Sequence, residues 1–183
     1  MRKRGELIFV ALLILLLKPF SFSYGEDKNY QVVYFELFGN AIVYSLNYER
    51  TIYRDFSGRV GIAYIAATTG ENRINFLISP LMVNYLLGSS KHKLELGLGP
   101  VMFIGLARIR DYDRKLNFKF LFVDIETEPN KPVIGSDISI AVTGTIGYRY
   151  QPGKQGLIFR IAFTPLIQKK FGSWFGISLG YRF

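Results

Sequence analysis

The sequence predicts an all-β chain closed into an eight-stranded antiparallel up-and-down barrel. Three observations lead there. Apolar residues recur at every second position in segments of strand length, and no long segment holds a helical period. Clusters of Gly, Asn, Asp and Pro separate these segments, as turns require. The segments number eight, and an even count puts both ends of an up-and-down sheet on one side, where a barrel can close.

Composition narrows the chemistry. Of 183 residues, 49% are hydrophobic and 16% aromatic, with 18 Gly, and cysteine is absent. That excludes disulfides, thiolate metal sites, a cysteine nucleophile and a lipid-bearing cysteine. A single histidine leaves little for a transition-metal site, and no cofactor is expected.

Residues 1–25 predict a cleaved signal peptide. Arg2, Lys3 and Arg4 precede an unbroken apolar run from Leu7 to Leu17, and small residues follow in "SFSYG". The run is too short for the ~20 residues of a spanning helix. Arg2, Lys3, Arg4 and Lys18 against Glu6 contribute +3 of the formal +9, leaving about +6 on residues 26–183. No basic helix or aromatic RNA motif accompanies that charge, so nucleic acid is not an expected partner. An anionic lipid or polysaccharide surface suits it better.

The strands follow in order. "QVVYFELF" (31–38) and "AIVYSLNYERTI" (41–52) flank Gly39-Asn40, where a two-residue turn pairs Leu37 with Ile42, Phe35 with Tyr44 and Val33 with Leu46. After "YRDFSG" come "RVGIAYIA" (59–66), "INFLISPLMVNYLL" (74–87) and "KLELGLGPVMFIGLA" (93–107). A charged segment covers 108–135. "SDISIAVTGTIGYRY" (136–150), "GLIFRIAFTP" (156–165) and the terminal "WFGISLGYRF" (174–183) complete the set. A rival threading makes 31–52 one bulged strand and 116–125 a strand; it also counts to eight.

The two faces differ. Ile138, Ile140, Val142, Ile146, Tyr148 and Tyr150 alternate with Ser139, Ala141, Thr143, Thr145, Gly147 and Arg149. Leu157, Phe159, Ile161 and Phe163 share one phase in the next strand. Eight strands enclose an interior just wide enough for side chains to fill, so small residues and a few charges belong inside. The bulky apolar phase then faces outward, and outward means lipid. Tyr48, Tyr85, Tyr148, Tyr150, Tyr181 and Phe183 lie at strand ends, where an interfacial girdle sits.

On these residues the chain resembles the small eight-stranded outer-membrane β-barrels of the OmpA transmembrane-domain and OmpX kind, over residues 26–183. "GISLGYRF" resembles the signal read by the barrel-assembly machinery, with Phe183 as terminal aromatic and Tyr181, Leu179 and Ile177 at alternate positions. "YSLNYER", "TGTIGYRYQP" and "FTPL" are similar to segments of uncharacterised outer-membrane barrels, which implies a porin-like fold without an activity. The resemblance implies a Gram-negative-type outer-membrane location. With the terminus periplasmic, "YRDFS", "GSSK" and "QPGK" are periplasmic turns, and 108–135 is the longest surface loop.

Three constellations bear on function. The inward phase gathers Glu36, Glu49, Arg59, Asn84, Glu95, Arg149, Arg160 and Arg182, and buried charges demand partners, so a luminal Arg/Glu network is expected. It serves either to lock the barrel or to gate a narrow channel. In 108–135, Arg108, Arg110, Arg114, Lys115 and Lys119 precede Asp124, Glu126 and Glu128. Those segments form two paired strands above the membrane or meet lipopolysaccharide phosphates or an extracellular partner. His92 stands near Ser89 and Ser90, but a turn offers no oxyanion hole or orienting group, so a catalytic set is not expected. The expected role is structural or surface-interacting in the cell envelope, without catalysis. The alternatives are a lipid-modifying enzyme, a narrow channel and a soluble periplasmic lipocalin-like carrier.

Overall fold

Alternating side chains and turn residues build one closed barrel and a small hairpin. The computed structural model describes residues 30–69, 72–88, 91–108, 117–120, 123–126, 134–168 and 171–183; the predicted signal peptide lies outside them. The barrel strands are β1 (Gln31–Leu37), β2 (Tyr44–Tyr53), β3 (Phe56–Thr69), β4 (Asn72–Leu87), β5 (His92–Arg108), β8 (Ile134–Tyr150), β9 (Gly156–Ile167) and β10 (Phe171–Arg182). Their order round the barrel is β1-β10-β9-β8-β5-β4-β3-β2, every pair antiparallel. The sheet closes where β1 meets β10, with Phe183 N–H donating to Gln31 O at 3.0 Å.

The long connection between β5 and β8 carries the separate hairpin of β6 (Asn117–Phe120) and β7 (Val123–Glu126), with Lys119 opposite Asp124. The threading with 31–52 as a single strand is therefore excluded. The remaining strands reach further than their alternation indicates: β3 begins at Phe56, leaving Arg54-Asp55 as the turn, with Arg54 at φ 48°.

Phase follows the alternation. Ile140, Leu157, Phe175 and Leu179 are each about three-fifths exposed or more (62%, 65%, 66% and 61%) and belong to an apolar belt round the circumference. At the end holding the termini, Tyr148, Tyr181 and Phe183 are exposed too, and the Phe56 and Tyr85 rings pack at 4.7 Å.

Two expectations need correction. The first turn is not the two-residue Gly39-Asn40: Leu37 pairs with Tyr44, Phe35 with Leu46 and Val33 with Tyr48. A shift of two residues preserves the faces and lengthens the loop to 38–43, of which residues 39–42 are buried while Phe38 stays exposed. Phe38 and Ile42 adopt φ of 54° and 76° to do so, an unusual conformation for non-glycine residues. Second, the interior is not mainly small. Phe76, Ile78, Val101, Phe103 and Leu166 point inward and pack on Ala41 and Ile42 of that loop. β4 and β5 are apolar on both faces here, so alternation alone does not reveal the bulky inner residues.

Candidate functional site

The lumen has two storeys. Towards the termini it is ionic and aromatic; towards the 38–43 loop it is apolar. Strand alternation supplies the ionic storey from six strands, Glu36 on β1, Glu49 on β2, Arg59 on β3, Glu95 on β5, Arg149 on β8 and Arg160 on β9, all 0–3% exposed.

Three carboxylates meet three guanidiniums in a continuous chain. Arg149 Nη1 donates to Glu49 Oε1 at 2.7 Å and lies 3.5 Å from Glu95 Oε2. Arg160 bridges the other two, Nε to Glu95 Oε2 at 2.7 Å and Nη1 to Glu36 Oε1 at 2.6 Å. Arg59 stands 3.8 Å from Glu36. The chain is electrically neutral, so the cost of burying six charges is offset by pairing rather than by open water.

Hydroxyls and amides fill the remaining positions. Glu49 Oε1 accepts from Tyr30 OH at 2.8 Å and Ser57 Oγ at 2.7 Å, and its Oε2 from Asn84 Nδ2 at 3.4 Å. Tyr34 OH accepts from Arg59 Nη1 at 3.0 Å. The Arg149 and Arg160 guanidiniums lie 5.5 and 5.3 Å from the Tyr30 and Tyr34 ring centres, within cation–π range. Arg182 Nη1 donates to Pro152 O at 2.6 Å nearer the rim.

The loop seals the storey above. Asn40 is wholly buried; its Nδ2 donates to Thr143 Oγ1 and Gly144 O, both at 2.9 Å. Its Oδ1 accepts from Thr145 Oγ1 at 3.2 Å and from Arg59 Nη2. Gly144 is available because the β8–β9 ladder is interrupted between Thr143↔Leu166 and Ile146↔Phe163, where Pro165 brings no N–H. Trp174 Nε1 donates to Gly39 O at 2.7 Å. At Gly39 a Cβ would meet the Glu36 carboxyl carbon at 1.9 Å, so any larger residue has to displace the carboxylate that Arg160 holds.

The barrel is closed, eight-stranded, apolar outside and packed inside. The fold matches the N-terminal β-barrel domain of Pseudomonas aeruginosa OprF, with a TM-score of 0.54 and 10% identity over 87% of this chain and 100% of that one. The fold is that of a small OmpA/OmpX-like barrel. No protein-family profile matches the sequence, and no curated protein matches it at a significant level. At this identity the likeness to the OprF barrel concerns architecture alone.

Among the described residues, the candidates on β10 and His92 lie on the outer face. Ile177, Leu179 and Tyr181 form an exposed stripe on β10, and exposed Phe183 follows its last residue. Arg108 ends β5 and Lys119 belongs to β6, but their side chains, like Arg110, Arg114 and Lys115 altogether, lie outside the described residues. His92 opens β5 on the outer face, its Nδ1 2.6 Å from Tyr148 OH and its ring against Tyr150. Ser89 and Ser90 fall outside the described residues.

Sequence reasoning missed Tyr30, Tyr34, Ser57 and Asn40. Tyr34 shares the inward phase of β1 with Glu36, which was a usable signal. Asn40 carried none while 39–40 passed for a two-residue turn.

Proposed function

We propose that the chain is an integral outer-membrane β-barrel with a structural or surface-interaction role in the cell envelope, exported by a cleaved signal peptide and without catalysis. The observation that carries this reading is the pairing of an apolar belt round the exterior with a lumen filled by neutral ion pairs and its own loop. A surface of that kind needs lipid rather than water. Among the described residues the lumen is filled by ion pairs and buried side chains, which weighs against the channel reading. It weighs equally against the carrier reading, since a soluble barrel would bury its apolar residues inside and expose its polar ones.

Within this reading, Phe183 and the β10 stripe serve recognition by the barrel-assembly machinery. The basic residues Arg108, Arg110, Arg114, Lys115 and Lys119 meet lipopolysaccharide phosphates or an extracellular partner. The test is fractionation joined to gel mobility. The protein should remain with outer-membrane lipid and migrate faster unheated than boiled, and purified protein should release no fatty acid from phospholipid or lipid A. Release with the periplasmic fraction, together with a single mobility, would sink the barrel reading. Ohmic steps in a planar bilayer would revive the channel.

A further inference from the structure

The rim that holds the termini carries charge that the luminal network does not use. Three turns, β2–β3, β4–β5 and β8–β9, form one arc of it, because β3 pairs with β4 and β5 with β8. Backbone bonds tie the arc together: Leu86 N–H donates to Asp55 O at 2.9 Å, and Gln151 N–H to Lys91 O at 2.7 Å. Arg50, Arg54, Lys91, Lys93 and Lys154 lie on or beside these turns, against Asp55 as the one acid among their described residues. Arg54, Lys91 and Lys154 are exposed and, among the described residues, form no ion pair. The luminal acids do not reach them, since Glu49 and Glu95 are buried against Arg149 and Arg160. Turn follows turn every two strands, so at about 4.8 Å per strand these cations are carried roughly 10 Å apart.

The same arc carries rings. The Arg54 guanidinium lies 5.0 Å from the Tyr53 ring centre, beside the Phe56–Tyr85 pair. His92, which follows Lys91, sets its ring 5.9 Å from that of Tyr148 and 5.5 Å from that of Tyr150. Rings at a strand end settle at head-group depth, which puts the neighbouring cations at the level of lipid phosphates.

We infer that this arc is a docking surface for anionic phospholipid, with Arg54, Lys91 and Lys154 each facing the phosphodiester of a lipid head. The inference rests on the membrane-barrel reading above and extends its lipid contact from the apolar belt to the head groups. Net head charge decides the class. A phosphatidylcholine head brings its own ammonium, which meets the same unpaired cations; a phosphatidylglycerol head brings the phosphate alone. One Lys or Arg near an anionic lipid surface is worth about a fivefold preference, and salt screens it.

Solution NMR of the full chain in dodecylphosphocholine micelles reads the turns themselves. Phosphatidylglycerol should shift the backbone amides of Arg54, Lys91 and Lys154 saturably, and leave those of Val101 and Phe103, midway along β5, in place. Phosphatidylcholine or inorganic phosphate should act at least about fivefold more weakly, and salt at about 1 M should remove the preference. Arg54→Gln/Lys91→Gln/Lys154→Gln should weaken phosphatidylglycerol at least about tenfold, and the milder Lys91→Gln/Lys154→Gln about fivefold. Lys91→Arg/Lys154→Arg keeps the charge and should bind as the unaltered chain does. Equal action of phosphatidylcholine or inorganic phosphate, or unchanged affinity in the Gln variants, overturns the inference. Unheated gel mobility separates the two readings. If the unaltered chain lacks the fast-migrating form, the membrane-barrel reading fails; if it has that form without lipid selectivity at the turns, the docking arc alone fails.

Discussion

Arg160 joins two carboxylates, so replacing it with methionine is the severest single test of the luminal network. The methionine keeps most of the aliphatic stem and removes the charge. Glu36 then loses its 2.6 Å partner and is left with Arg59 at 3.8 Å; Glu95 loses its 2.7 Å partner and is left with Arg149 at 3.5 Å. Breaking a buried ion pair by removing one partner costs about 3–5 kcal/mol. Two carboxylates are stranded here, which puts the expected loss near the upper end, about 4–5 kcal/mol. Urea titration of the vesicle-bound protein, followed by Trp174 emission and unheated gel mobility, measures it. Lys154→Met on the exposed β8–β9 turn should stay within about 0.5 kcal/mol. Removing one stranded acid as well, in Arg160→Met/Glu95→Gln, should recover about 1–3 kcal/mol as a coupling energy. A single-variant loss below about 1 kcal/mol, the scale of an exposed pair, would mean that the lumen is wet enough to screen these charges. The reasoning from burial would then be wrong.

Three further outcomes are expected. Ile140→Arg should cost about 2–4 kcal/mol if that exposed belt position meets the hydrocarbon, against about 0.5 kcal/mol or less for Gln155→Arg on the β8–β9 turn; equal effects in the same urea titration would deny the lipid contact. Deleting Phe183 removes both backbone hydrogen bonds to Gln31, and pulse-chase assays of protease protection should show slowed insertion; normal kinetics would count against a terminal handle. Gly39→Ala forces a Cβ to within 1.9 Å of the Glu36 carboxyl carbon, so it should destabilise by about 1–3 kcal/mol and raise acrylamide quenching of Trp174, the indole that bonds Gly39 O.

The architecture was legible because its cause is local. Period-two alternation tells in from out wherever one face is bulky and the other small, as in Ile138 to Tyr150 and Leu157 to Phe163, and the even strand count fixed closure. Legibility failed where that contrast fails. In "INFLISPLMV" and "GPVMFIG" both faces are apolar, so Phe76, Ile78, Val101 and Phe103 could not be distinguished as luminal. It failed again at Gly39-Asn40, a dipeptide favoured in tight turns. The reason the loop goes inward lies over a hundred residues away, in the Gly144 carbonyl beside the interrupted ladder at Pro165. No local pattern carries that information.

The network's geometry also says where the barrel is reinforced. The closing seam β1–β10 runs only from Val32↔Arg182 to Leu37↔Ile177, whereas β5–β8 runs from His92↔Tyr150 to Arg108↔Ile134. The seam is short because the chain leaves β1 at Leu37 to enter the lumen. Two of the strongest luminal contacts reach across that weak place: Arg160 on β9 bonds Glu36 on β1, passing β10, and Trp174 on β10 bonds Gly39 just beyond β1. The inturned loop that shortens the seam also supplies Gly39, while Glu36 lies three residues before it. Shortening and reinforcement therefore come from one stretch of chain, 36–43, and loosening that stretch should open the barrel at β1–β10 before any other strand pair. Hydrogen exchange of the Val32–Leu37 amides, measured against those of Val101–Gly105, reads the order directly; simultaneous exchange of both sets would show that the luminal contacts do not act on the seam.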